Sequence, residues 1–235
     1  MKKIYALILA LCLLSMTACS NENSEPDKQS GSTQSTVSAA ADANNGNAAE
    51  TKESTNSSEA PSRSPKILIA YFSVPEDETD TVAGASVVIK NGQKTGSTEY
   101  VAKLVQQTIG GDLFEIKAAE SYPTGHGILI DQAADEKADN IRPELETSVE
   151  NFEDYDIVII GYPNWWADLP VPVYTFLEQY DFGGKTVVPF VTHGGSGFSA
   201  TVGTITEMLP NSTVSDNTLS LSRNNVADCE DTVEK

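Results

Sequence analysis

Cysteine and histidine are scarce in this chain, which has three cysteines and two histidines in 235 residues. Cys12 lies in an apolar N-terminal run and Cys19 closely follows that run, so only Cys229 belongs to the rest of the chain. A lone thiol cannot form an internal disulfide, and two separated histidines without clustered cysteines do not make a zinc site. We therefore expect neither a disulfide framework nor a metal centre, and we interpret Cys229 as a thiol without a catalytic role.

Positive charge is also in short supply. Lysine and arginine number 15 against 34 aspartates and glutamates, which gives a formal net charge of -19. A surface of this sign repels phosphate backbones, so nucleic acid is excluded as a partner. The charge suits brief docking with a basic patch on another protein, although simple solubility explains it equally well.

The apolar run from Ile4 to Leu14 is too short to cross a bilayer as a helix, which takes about 20 residues. It follows two lysines and leads to Met16-Thr17-Ala18-Cys19, which resembles the cleavage box of bacterial lipoproteins. We therefore predict that residues 1–19 are a signal peptide with a lipid attached to Cys19. This anchor would place the protein at the cell membrane, outside the cytoplasm. An ordinary signal peptide cut nearby, which would leave a soluble protein, is the alternative.

Aromatic residues are absent from Ser20 to Ser64, a stretch rich in Ser, Asn, Ala, Thr, Glu and Gly. Such a composition cannot bury enough apolar surface to offset the entropy lost on ordering. We predict that residues 20–65 are a disordered linker, with a root-mean-square reach of about 35 to 40 Å if it behaves as a flexible coil. The folded domain would then be residues 66–235.

From Lys66 onward, short apolar runs alternate with amphipathic stretches. Strands are predicted at KILIAYF, DLFEIKA, YDIVIIGYP, KTVVPFVT and TVSDNTLSL, and helices are predicted in the segments between them. Strands that alternate with helices pair in parallel through right-handed crossovers. The predicted fold is a doubly wound, three-layer α/β sandwich with a five-stranded parallel sheet.

In such sheets, ligands bind at the carboxyl ends of the strands where the winding reverses. The loops after the first, third and fourth strands are therefore the candidates. The first carries Ser73 and leads to Thr95-Gly96-Ser97-Thr98, where hydroxyls surround a glycine at a helix start. Free amides and the helix dipole attract phosphate there, although such hydroxyls are also ordinary N-caps. The lysine of a nucleotide triphosphate loop is missing, so ATP and GTP are not expected.

The other two loops carry aromatic residues and glycines. In GYPNWWADLP, Trp165 stands beside Trp166, and adjacent side chains of an extended segment point in opposite directions. We expect one indole to pack inward and the other to lie over a planar ligand, although both could cap the core edge. In THGGSGFSA, three glycines within four positions let the backbone approach a ligand closely. Together the three loops predict a slot for a flat ring with a phosphate tail.

With these motifs, the segment from Lys66 to the C-terminus resembles the flavodoxin-like family, which shares the AYFS, TGxT, GYPxWW, PVYTFLE and THGGSG signatures. The resemblance implies the strand order 2-1-3-4-5 and FMN as the cofactor. It implies that the phosphate is held by Ser73, Thr95, Gly96, Ser97 and Thr98. It implies that the isoalloxazine ring is contacted by Pro163, Asn164, Trp165 and Trp166, and bordered by Thr192, His193, Gly194, Gly195 and Ser196.

The chain departs from the family in the phosphate loop, which is continuous in most flavodoxins. Here Val74 to Lys94 intervenes between Ser73 and Thr95, and it contains a predicted hairpin that turns at Asn91-Gly92. The segment PTGHG contains the second histidine, His126. We interpret it as an exposed loop residue, and a ligand contact is the alternative.

The resemblance implies a one-electron carrier, in which the cofactor supplies the chemistry and the protein sets its potential. Its partner would be a redox protein that docks transiently. An FMN-dependent NAD(P)H:quinone-type reductase shares the fold and is the first alternative, but nicotinamide nucleotides are scarce outside the membrane. A flavin-free surface binding module is the second alternative. A hydrolase is disfavoured because Gly194 to Phe198 lacks the final glycine of a G-x-S-x-G elbow.

Overall fold

The computed structural model describes residues 63–77 and 86–234. The predicted signal peptide, the lipidation site Cys19 and almost all of the predicted linker lie outside the described residues. Within the described ranges, no helix is long and apolar enough to cross a membrane.

Eight strands and five helices make up the described part of the chain. The strands are β1 (Ile67–Tyr71), β2 (Val87–Lys90), β3 (Gln93–Gly96), β4 (Asp112–Glu115), β5 (Ile157–Pro163), β6 (Thr186–His193), β7 (Thr213–Val214) and β8 (Leu219–Ser222). The helices are α1 (Ser97–Ile109), α2 (His126–Ala138), α3 (Val171–Gln179), α4 (Thr201–Met208) and α5 (Glu230–Val233).

The main sheet is parallel and follows the order β4-β1-β5-β6, with β7 and β8 both paired to β6. The predicted order 2-1-3-4-5 is confirmed, but the fifth strand is not continuous. It breaks between Val214 and Leu219, where the amide of Asn217 donates to Ser215 Oγ and the amide of Thr218 donates to the Asp216 carbonyl. These local bonds replace the ladder over the break, as short polar side chains often do.

Helices cover both faces of the sheet, which gives three layers, and an apolar core lies between the sheet and the helices on each face. Leu68 and Ala70 of β1 pack on the face covered by α3 and α4, whereas Ile69 and Tyr71 pack towards α1 and the C-terminal segment. This alternation follows from the two-residue period of a strand, and it explains why β1 is apolar throughout. The carboxyl ends of β1, β5 and β6 consequently meet at one edge of the sheet.

Cys229 belongs to the second of these cores and is 1% exposed. Burial raises the pKa of its thiol, which keeps the sulfur protonated and unreactive at neutral pH. These features agree with the interpretation of Cys229 as a thiol without a catalytic role.

The insertion after β1 ends in the hairpin β2–β3, in which Lys90 pairs with Gln93. Asn91 and Gly92 have φ values of 53° and 76°, the left-handed conformation that a two-residue turn of type I′ requires at both positions. The predicted hairpin is therefore confirmed. Its Lys90 ammonium donates to the Tyr100 hydroxyl at 2.9 Å and to the Glu230 carboxylate, so the hairpin is fixed to α1 and α5.

Candidate functional site

The insertion does not separate the two halves of the predicted phosphate loop in space. A Cβ placed on Gly96, at the end of β3, would overlap the side-chain oxygen of Ser73. The amide of Ser97 donates to the carbonyl of Ser86 at 2.7 Å, which holds the end of the hairpin beside the start of α1. Ser73 and the segment Thr95 to Thr98 therefore meet at one place.

The start of α1 offers donors without partners. No side chain within the described ranges caps the helix, so the hydroxyls before it are not ordinary N-caps. Ser97 is 2% exposed, and its Oγ has no hydrogen-bond partner among the described residues. The buried hydroxyl of Thr98 lies 2.8 Å from that of Thr192, which joins this helix to the end of β6. An uncapped helix N-terminus beside an unpartnered hydroxyl is an arrangement that a phosphate group satisfies.

One of the two tryptophans packs inward and the other is exposed, as predicted. Trp165 packs inward, edge to face against Phe72 and Tyr122 with ring centroids 5.2 and 5.4 Å away. Trp166 is 54% exposed, and its indole N–H donates to the carbonyl of Ile130 at 3.0 Å. One ring therefore belongs to the core, and the other is available to a ligand.

A tight turn causes this difference in burial between Trp165 and Trp166. Trp165 and Asp168 exchange backbone hydrogen bonds of 3.2 and 2.9 Å, and they enclose Trp166 and Ala167 with φ values of 53° and 59°. Positive φ is uncommon for a bulky residue and carries a conformational cost of about 1–3 kcal/mol that the surroundings must sustain. Lys137 of α2 holds the turn, with its ammonium 2.8 Å from the Trp166 carbonyl and 3.1 Å from Asp168 Oδ2.

Asn164 connects the segment GYPNWWADLP, here called the tryptophan loop, to the segment THGGSGFSA, here called the glycine loop. Its side-chain amide donates to the Gly197 carbonyl at 2.7 Å and to Ser199 Oγ at 2.9 Å. Its amide oxygen is buried and has no hydrogen-bond partner within the described part of the chain. That oxygen can accept a hydrogen bond from an N–H group at the edge of a ligand ring.

The glycine loop after β6 is held by His193. Nδ1 of its imidazole accepts from the Gly195 amide at 2.9 Å, and Nε2 lies 3.1 Å from Ser220 Oγ. Burial lowers the pKa of His193, which favours the neutral ring that this arrangement needs. Gly195 and Gly197 have φ values of 141° and 61°, so the loop requires glycine at both positions.

A cleft of about 310 Å³ lies between the loops. Seven of the predicted ring-contacting residues line it, namely Pro163, Asn164, Trp165, Trp166, Thr192, His193 and Gly194. The predicted residues Gly195 and Ser196 are exposed and do not belong to its wall. The other lining residues come from the segment after β1, from the residue that precedes β2 and from α2: Glu76, Ser86, His126, Leu129, Ile130 and Ala133.

The interpretation of His126 as an exposed loop residue is wrong. It is the first residue of α2, its side chain is 23% exposed, and its Nδ1 lies 2.6 Å from Oε2 of Glu76, whose side chain is 7% exposed. The loop after the second predicted strand ends at the same sheet edge as the other three. That shared edge was the signal by which sequence reasoning could have found His126, whereas Glu76 gave no such signal.

A family model described as flavodoxin matches residues 86–235. The curated flavodoxin 1 of Escherichia coli K12 is 29% identical over 107 residues, which cover 42% of this chain and 44% of that protein. Flavodoxin 1 of Salmonella typhimurium gives the same identity and coverage. The chain thus matches less than half the length of these curated relatives.

Solved structures agree over a longer span. A protein from Bacteroides uniformis, assigned as a flavoprotein, is 30% identical with a TM-score of 0.56, covering 74% of this chain and 100% of the other. A flavoprotein from Lactobacillus acidophilus, solved in complex with FMN, has the same fold at 22% identity and a TM-score of 0.51, covering 73% of this chain and 100% of that chain. The matched family model, the relative from B. uniformis and the parallel sheet with its three loops at one edge lead to one conclusion: the chain belongs to the flavodoxin family.

Proposed function

We propose that this protein is an FMN-binding electron-transfer protein, held at the cell membrane outside the cytoplasm by a lipid on Cys19. Membership of the flavodoxin family supports FMN as the cofactor. A protein of the same fold from L. acidophilus was solved with FMN, which agrees with that choice.

One observation carries the proposal. Two buried side-chain atoms lack a hydrogen-bond partner among residues 63–77 and 86–234, and both belong to the candidate site. Ser97 Oγ stands at the uncapped start of α1, where it would donate to the phosphate, and Asn164 Oδ1 stands beside the cleft, where it would accept from the ring edge. Buried polar atoms are nearly always paired in folded proteins, so a ligand that pairs both explains them.

The described residues fit the shape of FMN as well as its polar groups. Trp166 offers the face of an exposed indole, and offset stacking on a flat ring contributes about 0.5–1.5 kcal/mol beyond the area buried. Thr95 to Thr98 are uncharged, so the helix amides and hydroxyls would hold the phosphate without a basic side chain. FMN, when bound, supplies the redox chemistry.

The protein's contribution is to position the ring and to set its electrostatic surroundings. The turn at Trp166 and Ala167 presents the indole in a fixed direction, and the bond from Trp166 to the Ile130 carbonyl keeps it there. A net charge of -19 disfavours further negative charge on the ring, so we expect the second electron to enter at low potential. The same charge suits transient docking of a redox partner with a basic surface.

An FMN-dependent NAD(P)H:quinone-type reductase is the second candidate. The pair formed by His126 and Glu76 in the wall of the cleft favours it, because a carrier of electrons alone needs no acid or base beside its cofactor. A steady-state assay with NADH or NADPH and a quinone separates the two candidates. Turnover supports the reductase, and its absence supports the carrier.

The visible spectrum of the purified protein tests the cofactor. We expect flavin absorption bands, and release of the chromophore should give the mass of FMN. A colourless protein that takes up no FMN from an excess would contradict the proposal and favour a flavin-free binding module. Membrane fractionation of the wild-type protein and of a Cys19→Ala variant tests the anchor, since only the wild type should remain in the membrane fraction.

A further inference from the structure

We infer that a cavity between the hairpin β2–β3 and α1 binds a small hydroxylated anion, a carboxylate or phosphate monoester of about the size of a monosaccharide. This cavity is separate from the cleft assigned to the FMN ring. One of its walls belongs to the insertion after β1, about which the resemblance to flavodoxins implies nothing. The inference does not depend on the proposed function, because no flavin chemistry enters it.

The cavity, here called the hairpin cavity, has a volume of about 440 Å³. Successive residues of a strand point to opposite faces, so Ile89 is 59% exposed on the outer face of the hairpin, whereas Val88 and Lys90 line the cavity. The helix contributes residues three or four positions apart, which lie on one face of α1: Tyr100, Lys103, Leu104 and Gln107. A cavity of this volume is sufficient for a small-molecule ligand.

The charge of the cavity wall is opposite to that of the chain. Lys90 and Lys103 line the wall, whereas no aspartate or glutamate of the described residues does, although acidic residues outnumber basic ones by 34 to 15 in the whole chain. Two ammonium groups at one cavity attract an oxyanion and donate charge-assisted hydrogen bonds to it. The net charge of -19 repels polyanions from the domain, which favours a small ligand with one anionic group over a polymer.

Both lysines are accessible to a ligand. Lys103 pairs with Glu99 one helical turn away, Lys90 pairs with Glu230, and the two lysine side chains are 45% and 38% exposed. Ion pairs at such exposed positions contribute little to stability. An incoming oxyanion can therefore replace Glu99 as the partner of Lys103 at little cost. Lys90 also donates to the Tyr100 hydroxyl at 2.9 Å, which holds its ammonium at the wall.

The uncharged groups of the wall indicate the rest of the ligand. The side-chain amides of Asn91, Gln93 and Gln107 line the cavity and have no hydrogen-bond partner among the described residues. A side-chain amide offers two donors and an acceptor, which suits the hydroxyl groups of a ligand. Val88, which is 4% exposed, and Leu104 add an apolar area that suits the C–H groups of a sugar ring.

The test uses the full chain loaded with saturating FMN, so that the phosphate site at the start of α1 is occupied. This precaution is needed because Thr95, a candidate phosphate ligand, also lines the hairpin cavity. Glucose, glucuronate and glucose 6-phosphate are titrated separately, and the NMR signals of the Asn91 and Gly92 amides follow binding. The three probes share a sugar ring and differ in the anionic group. We expect at least one of the two anions to bind saturably and at least about tenfold more tightly than glucose, and the anion that binds distinguishes a carboxylate site from a phosphate site.

Three variants test whether the cavity wall selects the anion. Lys103→Gln should weaken binding of the anion at least about tenfold, as loss of a hydrogen bond to a charged group does. Lys117→Gln removes the same charge from another exposed, paired lysine and should leave the affinity unchanged. Gln107→Glu adds a carboxylate to the wall at an exposed position, so it should also weaken binding at least about tenfold. Thermal unfolding of each variant checks that the fold is retained.

The outcomes are distinguishable. Absence of saturable binding by both anions would overturn the inference, and so would an affinity for glucose equal to theirs. Equal losses in Lys103→Gln and Lys117→Gln would mean that overall charge attracts the anion, which also overturns it. Release of FMN by the anion, seen in the flavin absorbance, would mean that the anion binds at the phosphate site instead. A protein that does not load FMN would contradict the proposed function, whereas the glucuronate titration of the hairpin signals would still decide the inference.

Discussion

The side-chain oxygen of Ser73 occupies the space that a Cβ would need on Gly96, although 22 residues lie between the two in the chain. Gly96 has an ordinary extended backbone, with φ -62° and ψ 140°, so its conformation does not require glycine. Glycine is required there because the Ser73 side chain approaches so closely. The insertion can therefore be accommodated only because its two ends return to contact at the start of α1.

The first prediction follows from this contact. In Gly96→Ala the added methyl group must displace Ser73 or the start of α1, which should cost about 1–3 kcal/mol of stability, as overpacking does. Because both displaced parts are candidate phosphate ligands, the affinity for FMN should fall at least about tenfold, which corresponds to 1.4 kcal/mol. Thermal unfolding and a flavin fluorescence titration measure the two effects.

The control for this prediction is Gly203→Ala in α4, where a Cβ would meet no atom of the described residues within 4 Å. It should leave FMN affinity unchanged. The double variant Ser73→Ala with Gly96→Ala removes the overlapping oxygen, so it should regain stability but not affinity. Full recovery of both would contradict a phosphate role for the Ser73 hydroxyl.

The adjacent tryptophans should respond oppositely to truncation. Trp165→Ala removes an indole packed against Phe72 and Tyr122 and should destabilise the apoprotein by about 3 kcal/mol. Trp166→Ala removes a half-exposed ring from a strained turn, so it should leave stability within about 1 kcal/mol and weaken FMN binding about tenfold. Urea unfolding of the apoprotein and FMN titration separate the two effects. If Trp166→Ala binds FMN as the wild type does, the ring does not stack on this indole.

Protonation of His193 at low pH should destabilise the glycine loop. Burial lowers the pKa of His193 in the folded protein below its usual 6.5. At a pH between the lowered value and 6.5, the histidine is therefore more protonated in the unfolded chain than in the folded protein. The stability contributed by the neutral ring is therefore present above about pH 6.5 and is lost as the pH falls through the lowered value. A protonated Nδ1 can no longer accept from the Gly195 amide, so FMN affinity should fall over the same interval.

His193→Gln is the comparison for this pH dependence, because the carboxylates of the domain add their own slope below about pH 5. We expect the variant to be less stable at pH 7.5 and its stability to change less between pH 7 and pH 5 than that of the wild type. Chemical unfolding at a series of pH values measures both curves. Parallel curves for the two proteins would show that His193 contributes no such slope.

Sequence periodicity was sufficient to predict the central strands and, with them, the loops that follow their carboxyl ends. β1, β5 and β6 are continuous apolar runs because both of their faces are buried, and that pattern is visible without coordinates. The Asn91-Gly92 turn was equally clear, since its conformation is a local property of those residues. The break in the fifth strand was not, because Thr213 to Leu221 keeps strand-forming residues on both sides of it.

The contacts that complete the site depend on residues far apart in the chain. Glu76 and His126 are separated by 50 positions, and only the shared edge of β1 and β4 brings their loops together. Ser73 and Gly96 meet because the hairpin closes between them, which no local pattern encodes. The roles of the two histidines differ for the same reason: neighbours from β8 and the glycine loop occupy both nitrogens of His193, and those neighbours are set by tertiary structure.

The last prediction concerns the fixing of the hairpin to the C-terminal segment. Lys90 of β2 bonds to Tyr100 of α1 and Glu230 of α5, and the adjacent Cys229 is buried beneath this contact. In Lys90→Met the partly exposed ion pair is lost, which should weaken the packing of α5 by up to about 1 kcal/mol. Local opening should then expose Cys229 more often, and its reaction with a thiol reagent should accelerate by up to about fivefold at pH 8.

Lys103→Met removes the exposed pair with Glu99 on α1 and serves as the control, with no expected change in thiol reactivity. An unchanged rate in Lys90→Met would mean that core packing alone, through Val226 and its neighbours, keeps the C-terminal segment closed.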